Sequence, residues 1–512
     1  MRWGVGGVND RELVFAGPHV LSAARVRENW FLVSLIMARF SQKDAVLPSG
    51  KFSLSSPVFD RLDRPFVRSH NGPVFMTQAI ASPPGETHAR LHSSQVQVFW
   101  LLWGAYASYY LCRVNFAVAQ PAILKEFPSW TSTQIGTIPS IYAAVYAVGQ
   151  IVNGTLGQRY GARRLMTIAL LGAAVTNFLF SFCSSFAAMR LLWACNGWFQ
   201  SAGWSLMVHT LSNWNTSARR GILIGRLSTC YTVGNVLSWL LAGFLCESFG
   251  WRASFFVPSL VMLPMAAVFF LCLRNSPEEA GFPPVRDDVD PQTGAAAVAS
   301  GTQGGWNSTW KILAATLRNP VLWILAIGFF VMNAVRYTFM NWSVQYMADF
   351  HGRSIKNSAL TAIMIPLVGS LGALSAGWAS DKLFDKRRAP VCVVMMLGLA
   401  AVSGAMTFVQ PGHWVTATVL LGLAGFMIYG PDVLMSGVAT VDLSHPKAGS
   451  IATGLTMCLG ALGAIFSGAG VGYLKDLGHG NWSLVFWVLA ALPLCPALLM
   501  VAIWNVRPKG AK

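Results

Sequence analysis

The amino-acid sequence predicts an all-α membrane protein that crosses the bilayer many times. Of its 512 residues, 54% are hydrophobic and only 11% are charged, whereas soluble domains carry about 25% charged residues. From about residue 96 onward, apolar runs recur, and each is roughly 20 residues long, enough to cross a hydrocarbon core of about 30 Å. We therefore expect a polytopic helical protein embedded in lipid.

The apolar runs predict twelve spans in two groups of six. The spans lie at roughly 97–120, 134–156, 165–186, 189–211, 222–246, 253–273, 320–347, 358–380, 389–409, 414–437, 449–474 and 482–505. Residues 274–319 begin with the Pro-, Gly- and acid-rich segment RNSPEEAGFPPVRDDVDPQTG, which cannot form a core. We therefore expect a cytoplasmic linker there, between six-helix halves at 96–273 and 320–506. A short tail follows at 507–512.

The first 95 residues allow three interpretations. Their apolar run WFLVSLIMARF, at 30–40, is too short to span a membrane, and no cleavage pattern of a signal peptide follows it. The segment is a disordered tail, a basic targeting segment, or the product of a start codon placed too far upstream, with Met76 as the true start. We favour the third interpretation, because the residues after Met76 form a short polar lead-in to the first span.

The formal net charge is +17, but the basic residues form no patch with interleaved aromatic side chains, so we expect no nucleic-acid binding. They cluster in alternate short loops, at Arg159, Arg163 and Arg164; Arg219 and Arg220; Lys382, Lys386, Arg387 and Arg388; and Arg507, Lys509 and Lys512. The positive-inside rule places these loops and both termini in the cytoplasm. We expect a multi-pass protein of the plasma membrane, which is the inner membrane in a bacterium.

Motifs for catalysis, metals or cofactors are not found in the sequence. The nine cysteines lie mostly within apolar runs, without C-x-x-C spacing or histidine partners, so they are expected to be small buried side chains. No P-loop, HExxH motif or nucleophile elbow is found, and the run GAGVG at 468–472 follows no strand. We therefore expect neither an enzyme nor a cofactor.

Two motifs recur at one spacing. RVNF at Arg113 returns as RYTF at Arg336, and GTLGQRYGARR at Gly154 returns as GWASDKLFDKRR at Gly377; both offsets are 223 residues. Two parallel repeats of six helices resemble the major facilitator architecture, in which substrate binds near the bilayer midplane between the halves. The repeated loop resembles that superfamily's signature G-x-x-x-D-R-x-G-R-R, with Gln158 in place of the first aspartate. Its implied gating residues are Arg159, Arg163, Arg164, Asp381, Arg387 and Arg388.

Arg113 and Arg336 are the charges that need a functional explanation. An arginine at the centre of a transmembrane helix costs about 2.5–3.5 kcal/mol, so it normally faces a wet cavity or a partner. Either arginine could also snorkel to an interface or pair with a carboxylate. As a repeated pair, they are placed to converge on one anion. Four tyrosines share helical faces near them: Tyr106, Tyr110, Tyr142 and Tyr146. Planar guanidinium groups with phenol donors suit a phosphate.

Four segments identify a closer resemblance. YYLCRVNFAVAQP, NGWFQSAGW, VRYTFMNWS and IYGPDVLMSGVA together resemble the organophosphate:phosphate antiporter family, from about residue 97 to the C-terminus. The resemblance implies exchange of an organic phosphate for inorganic phosphate by alternating access. It also implies that Arg113 and Arg336 hold the phosphoryl group, with Tyr106, Tyr110, Tyr146 and Tyr429 as cavity tyrosines.

Three positions depart from the glycerol-3-phosphate transporters of that family. Gln150 stands where their pattern has lysine, Asn213 where it has histidine, and Asn341 where it has aspartate. Neutral amides replace charged contacts, which favours a substrate with hydroxyl groups, such as a sugar phosphate. Asp432 is expected to pair with Arg336, contact a cationic substrate group or take up a proton. His209 is expected to pack between helices.

The resemblance leaves three functions open. We favour an exchanger of a sugar phosphate or related metabolite against phosphate, acting as a monomer in the lipid bilayer. Exchange would be obligatory because an empty carrier with two unneutralised arginines switches poorly between its two conformations. The alternatives are a membrane sensor of a sugar phosphate that signals to a partner kinase, and a carrier of another organic anion such as a carboxylate or phosphonate.

Overall fold

The computed structural model describes residues 84–285, 318–385, 387–438, 440 and 449–506. The expectations about Met76, about most of the linker and about the tail at 507–512 lie outside the described residues. The predicted N-terminal extension at 1–95 overlaps the first helix, which begins at Pro84. Leu91 packs against the core of the first half, and Gln95 Nε2 donates to the carbonyl of Trp214 at 2.8 Å.

All regular elements among the described residues are helices, as the sequence predicts. Before the linker they form α1 (Pro84–Leu111), α2 (Asn115–Glu126), α3 (Ser132–Tyr160), α4 (Ala162–Phe180), α5 (Phe186–Gln200), α6 (Gly203–Trp214), α7 (Ser217–Leu227), α8 (Thr229–Phe249) and α9 (Ala253–Cys272). After it they form α10 (Pro320–Asp349), α11 (Ile355–Ala362), α12 (Met364–Lys382), α13 (Ala389–Met406), α14 (Trp414–Val433), α15 (Gly449–Leu477), α16 (Ser483–Ala491) and α17 (Leu494–Val501). A π-helical turn, Leu434–Val438, follows α14.

Ten helical stretches of the described chain are long and apolar enough to cross a membrane. The two other predicted spans, 97–120 and 189–211, are broken helices. The first is divided into α1 and α2, and the second into α5 and α6, with the break at Ser201 and Ala202. We call the end of the bundle where α9 finishes and α10 starts the linker end, and the opposite end the far end.

The buried side chains form two clusters. One cluster belongs to the linker end of the first half and contains Leu102, Met166 and Leu211. The other joins the far end of the first half, through residues such as Ile135, to the core of the second half, through residues such as Ile428. The two halves therefore share a hydrophobic core at the far end, while the linker end of the first half keeps a core of its own.

Two carboxylates join the halves at the far end in a pseudo-symmetric way. Asp476, at the end of α15, accepts from Ser132 N at 3.0 Å and from Thr133 N at 2.7 Å, at the start of α3. Glu247, at the end of α8, accepts from Lys356 N at 2.8 Å, at the start of α11. Each carboxylate satisfies free N–H groups at a helix N-terminus of the other half and interacts with the positive end of its dipole.

Close backbone approach completes the contact between α3 and α15. Ser140 Oγ donates to the carbonyl of Ile465 at 2.5 Å and accepts from Ala469 N at 2.8 Å. Gly136 and Gly468 lie where the two backbones meet, and a Cβ atom on Gly468 would stand 2.9 Å from Ser140 N. Since such a contact is shorter than carbon and nitrogen tolerate, only glycine fits this crossing. The described conformation is therefore closed at the far end.

We expect Gly468→Ala to shift the protein away from far-end closure. Overpacking a tight contact costs about 1–3 kcal/mol, which lowers the closed population roughly fivefold or more. The measurement is the distance distribution between spin labels at Ser129 and Leu477, two exposed far-end positions, in a cysteine-free variant in nanodiscs. Gly454→Ala, on the same helix, is the control, because a Cβ there meets nothing within 4 Å. Identical distributions for the two variants would contradict the packing argument.

Candidate functional site

The first span is interrupted in the middle of the bundle, between α1 and α2. Carbonyl groups freed by the break accept hydrogen bonds from amide side chains of other spans. The carbonyl of Cys112 accepts from Asn196 Nδ2 at 2.8 Å and from Asn177 Nδ2 at 3.3 Å. Gln200 Nε2 donates to the carbonyls of Tyr109 at 3.1 Å and of Cys112 at 3.3 Å. The break is stabilised by three amides because lipid offers no donors.

Arg113 lies in this break and is half-buried. Its Nε donates to Gln200 Oε1 at 3.2 Å, so one glutamine fixes both the backbone and the guanidinium group. The Cζ atom is 5.1 Å from the ring centroid of Tyr110, 5.0 Å from that of Tyr146 and 6.0 Å from that of Tyr106. Aromatic faces attract a cation without neutralising it. Arg113 Nη2 is buried and has no hydrogen-bond partner among the described residues, so one donor remains available.

Arg336 has a different environment. Its Nη1 donates to Asp432 Oδ2 at 2.7 Å, and its Nη2 donates to Asn333 Oδ1 at 2.9 Å. The side chains of Arg336 and Asp432 keep 22% and 15% of their surface exposed. The Cζ atom also lies 4.8 Å from the ring centroid of Tyr337. Of the three roles open to Asp432, the structure displays the ion pair with Arg336.

Tyrosines connect the surroundings of the two arginines. Tyr110 lies near both Arg113 and Arg336, although these arginines belong to different halves. Tyr337, beside Arg336, lies near Tyr110 and Tyr142 of the first half. The two guanidinium groups therefore share phenol neighbours at mid-depth.

Comparison with known proteins defines the family. Residues 102–468 match the model of the Major Facilitator Superfamily. The chain is 30% identical, over 82% of its length and 93% of the relative's, to the "Probable hexose phosphate transport protein" of Chlamydia pneumoniae. It is also 30% identical, over 82% of its length and 94% of the relative's, to the "Membrane sensor protein UhpC" of Salmonella typhimurium.

The chain belongs to the organophosphate:phosphate antiporter family of the major facilitator superfamily. Solved structures agree on the fold. A bacterial homologue of the human lysosomal transporter Spinster, in an inward-facing and unoccupied conformation, superposes with a TM-score of 0.63 at 15% identity, covering 80% of this chain and 95% of that one. The fold class predicted from the sequence is therefore confirmed.

The other predicted site residues lie at varying distances from the arginines. Tyr429 lies near Arg336 and Asp432. Tyr142 packs against Tyr146, with ring centroids 5.9 Å apart. Asn341 Nδ2 donates to Ser467 Oγ at 3.2 Å, toward α15. Gln150 is half-buried on α3, one turn beyond Tyr146 and on the same helical face.

Two expectations are wrong about position. Asn213 lies in the last turn of α6, where its Nδ2 donates to the carbonyl of Asn275 at 3.3 Å. Because α6 ends at the linker end, this amide is not among the side chains beside Arg113. The error arises because a resemblance fixes the order of motifs along the chain but not their depth in the bundle. His209 is exposed on the wall of a cavity at the linker end and is not packed between helices.

The predicted gating residues differ between the two copies of the signature loop. In the second copy, Arg388 Nη1 donates to Asp381 Oδ1 at 2.5 Å, and Arg387 Nη1 donates to Asn505 Oδ1 at 3.2 Å. In the first copy, Arg163 Nε donates to the carbonyl of Phe270 at 2.5 Å. Arg159 and Arg164 of that copy are exposed. The second loop is therefore held by an ion pair, and the first by a main-chain acceptor.

Gln200 is one of the site residues that the sequence analysis did not predict, as are Asn333 and Tyr337 beside Arg336. Gln200 is fully buried within the segment NGWFQSAGW, which carried the resemblance without a role for its glutamine. The available signal was the pair Asn196 and Gln200, because two amides four residues apart in an apolar span share one helical face. Such a pair predicts a backbone or side-chain partner on a neighbouring span.

We expect Gln200→Leu to destabilise the protein and to release Arg113. The substitution removes a side-chain donor to the carbonyls of Tyr109 and Cys112 and leaves Arg113 Nε without its acceptor, and an unsatisfied buried polar group costs about 1–3 kcal/mol. The measurement is the apparent Tm in detergent at a fixed scan rate. Gln410→Leu, at an exposed loop position, controls for the loss of a glutamine. Equal Tm values for the two variants would contradict the role of Gln200.

Proposed function

We propose that this protein exchanges a phosphorylated sugar or related organic phosphate for inorganic phosphate by alternating access. The single observation that carries the proposal is the pair of half-buried arginines, one from each half, that lie near the same tyrosine, Tyr110, at mid-depth. Guanidinium groups bind phosphate oxygens through two parallel hydrogen bonds. One phosphoryl group held by both arginines links the two halves.

The substrate class follows from the neutral groups around the arginines. The candidate region offers phenol groups and the amide of Gln150, with Asn341 farther along α10, and these hydrogen-bond hydroxyl groups without demanding charge. A sugar phosphate supplies hydroxyl groups along its length. The name of the Chlamydia pneumoniae relative, a hexose phosphate transport protein, supports the same class.

Asp432 acts in this mechanism as a competitor of the substrate. In the described conformation it neutralises Arg336, so an entering phosphoryl group must displace it. The empty carrier then holds one unneutralised arginine, Arg113, and not the two expected from the sequence. A guanidinium group without a carboxylate in the middle of the bilayer costs about 2.5–3.5 kcal/mol. This cost still disfavours the switch of the empty carrier between its two conformations. Exchange follows because the organic phosphate and inorganic phosphate can each supply the negative charge that neutralises Arg113.

Orientation and assembly are part of the proposal. The basic loops lie at the linker end, so the positive-inside rule places that end and both termini in the cytoplasm. The described conformation, closed at the far end, then faces the cytoplasm. We place the protein in the plasma membrane, the inner membrane in a bacterium, where a monomer contains the complete arginine pair.

A sensor function is the second candidate. The observation that favours it is the "Membrane sensor protein UhpC", a relative whose identity equals that of the transporter relative. A sensor would bind the organic phosphate at the same arginines and pass the conformational change to a partner protein. Flux separates the two functions, because a sensor needs binding alone.

We expect Arg113→Lys and Arg336→Lys each to lower phosphate exchange about tenfold or more. Lysine keeps the charge but loses the planar fork, and hydrogen bonds to charged groups contribute about 1.5–3 kcal/mol each. The measurement is uptake of labelled phosphate into proteoliposomes preloaded with phosphate or with buffer. Arg252→Lys, which alters an exposed ion pair with Glu126 at the far end, is the matched control.

The outcomes separate the candidate functions. Uptake that requires internal phosphate and falls in both arginine variants, but not in the control, supports exchange. Saturable phosphate binding without uptake in inserted wild-type protein supports the sensor. Neither binding nor uptake contradicts both proposals and leaves a carrier of another organic anion.

We expect Asp432→Asn to bind phosphate about tenfold more tightly than the wild type. Asparagine keeps the shape of the side chain but removes the carboxylate that competes for Arg336, and that competing hydrogen bond is worth about 1.5–3 kcal/mol. Equilibrium binding of labelled phosphate to purified protein provides the measurement. Glu126→Gln removes the carboxylate partner of an exposed arginine, Arg252, at the far end, and should leave affinity unchanged. Weaker binding by Asp432→Asn would mean that the carboxylate supports the substrate.

A further inference from the structure

A cavity of about 720 Å³ lies at the linker end of the first half. Its walls come from the end of α3, the start of α4, the end of α6 and the segment after α9. Neither Arg113, Arg336 nor the tyrosines around them line it. Its volume falls in the range of about 300–1,000 Å³ that is typical of small-molecule sites. We call it the linker-end cavity.

The wall of the linker-end cavity is strongly basic. Four guanidinium groups line it, those of Arg159, Arg163, Arg164 and Arg274. The single carboxylate among its lining residues is that of Glu279, and both of its oxygens accept hydrogen bonds from Asn275, at 2.9 Å from the main chain and 2.8 Å from the side chain. This carboxylate is therefore committed to Asn275, and none of the four arginines forms an ion pair within the described part of the chain.

Two of the four arginines are held in place by main-chain acceptors. Arg163 Nε donates to the carbonyl of Phe270, and its Cζ atom lies 4.7 Å from the Phe270 ring centroid. Arg274 Nη1 donates to the carbonyls of Leu271 and Leu273, both at 3.1 Å. These bonds leave the other N–H groups of each guanidinium to a ligand. Arg159 and Arg164 stand exposed at the same cavity.

The backbone adds to the positive potential. Gly161, with φ of +81°, forms the turn from α3 into α4, so the N-terminus of a 19-residue helix begins at the cavity wall. Asn275 Oδ1 accepts from Arg163 N at 2.8 Å and lies so close to Gly161 that a Cβ there would stand 3.0 Å from Asn275 Nδ2. The partial positive charge of a helix N-terminus favours anions.

The repeat explains why this charge is unbalanced. In the second half, Asp381 neutralises Arg388. In the first half, the corresponding position of the signature carries Gln158, so the arginines of that loop lack the acid that their counterparts have. Loss of a single carboxylate converts a loop held by an ion pair into a group of cations that can bind an external anion.

We propose that the linker-end cavity binds a phosphoryl group, as a second anion site apart from the central arginine pair. Its ligand is a terminal phosphate group, supplied either by a lipid headgroup such as that of phosphatidic acid or by a soluble phosphate. Several fixed and exposed guanidinium groups around one cavity provide the fork geometry and the field that this chemistry needs. The inference does not rest on the proposed transport function.

The test uses the full-length protein with Arg113→Lys and Arg336→Lys, so that the central arginines contribute little. Binding of labelled inorganic phosphate is measured by equilibrium dialysis. Binding of a short-chain phosphatidic acid is measured in mixed micelles, against phosphatidylcholine with the same chains. Each probe is tested with the cavity pair Arg159→Gln and Arg164→Gln, and with the control pair Arg219→Gln and Lys382→Gln. The control pair removes two exposed cations from the same end without altering the cavity wall.

We expect the cavity pair to weaken binding of at least one probe tenfold or more, and the control pair to leave it unchanged. Weaker binding of inorganic phosphate by the cavity pair identifies a soluble ligand. Weaker binding of phosphatidic acid alone identifies a lipid headgroup. Gln158→Asp, which keeps every arginine, should weaken the same probe, because the restored acid competes with the ligand. No saturable binding of either probe, or equal losses with both pairs, would overturn the proposal and leave the transport proposal unaffected.

Discussion

The interruption of the first span depends on a constraint that lipid imposes. Every backbone carbonyl inside a bilayer needs a donor from the protein itself, so a helix can break only where side chains supply donors. Here the amides of Asn196 and Gln200 satisfy the carbonyls at the break, and Gln200 also accepts from Arg113. Gln200 therefore both donates to the backbone at the break and orients the guanidinium group of Arg113. This explains why a fully buried glutamine lies in an apolar span.

The two halves share an architecture but distribute their carboxylates unequally. The second half provides an acid at both levels of the bundle, Asp432 beside Arg336 and Asp381 beside Arg388. At the corresponding levels, the first half provides tyrosine rings around Arg113 and a glutamine in the signature loop. Positive charge is thus left uncompensated in the first half, at mid-depth and at the linker end.

The sequence predicted the features that depend on composition and on the order of motifs. It did not predict the depth of individual residues in the bundle or the interruptions of helices. Hydropathy predicted the membrane class, and the common offset of Arg113 and Arg336 predicted two halves. The same hydropathy concealed the break at Arg113, because a broken span and a continuous one have similar composition. The ion pair of Arg336 with Asp432 joins residues far apart in the chain, so the sequence left three roles open. Asn213 was misplaced because motif order does not report the level at which a helix ends.

Closure at the far end combines a hydrophobic core shared by the two halves with polar contacts at helix N-termini. Asp476 and Glu247 cap helix N-termini of the opposite half, and water can replace a carboxylate at such exposed N–H groups. The glycine contact between α3 and α15 is a close backbone approach at Gly136 and Gly468. A ligand can shift this equilibrium only through its different affinities for the conformations. Because Arg113 and Arg336 lie on different halves, an anion bound by both, as we propose, would change its contacts when the halves move, and its affinity would then differ between the conformations.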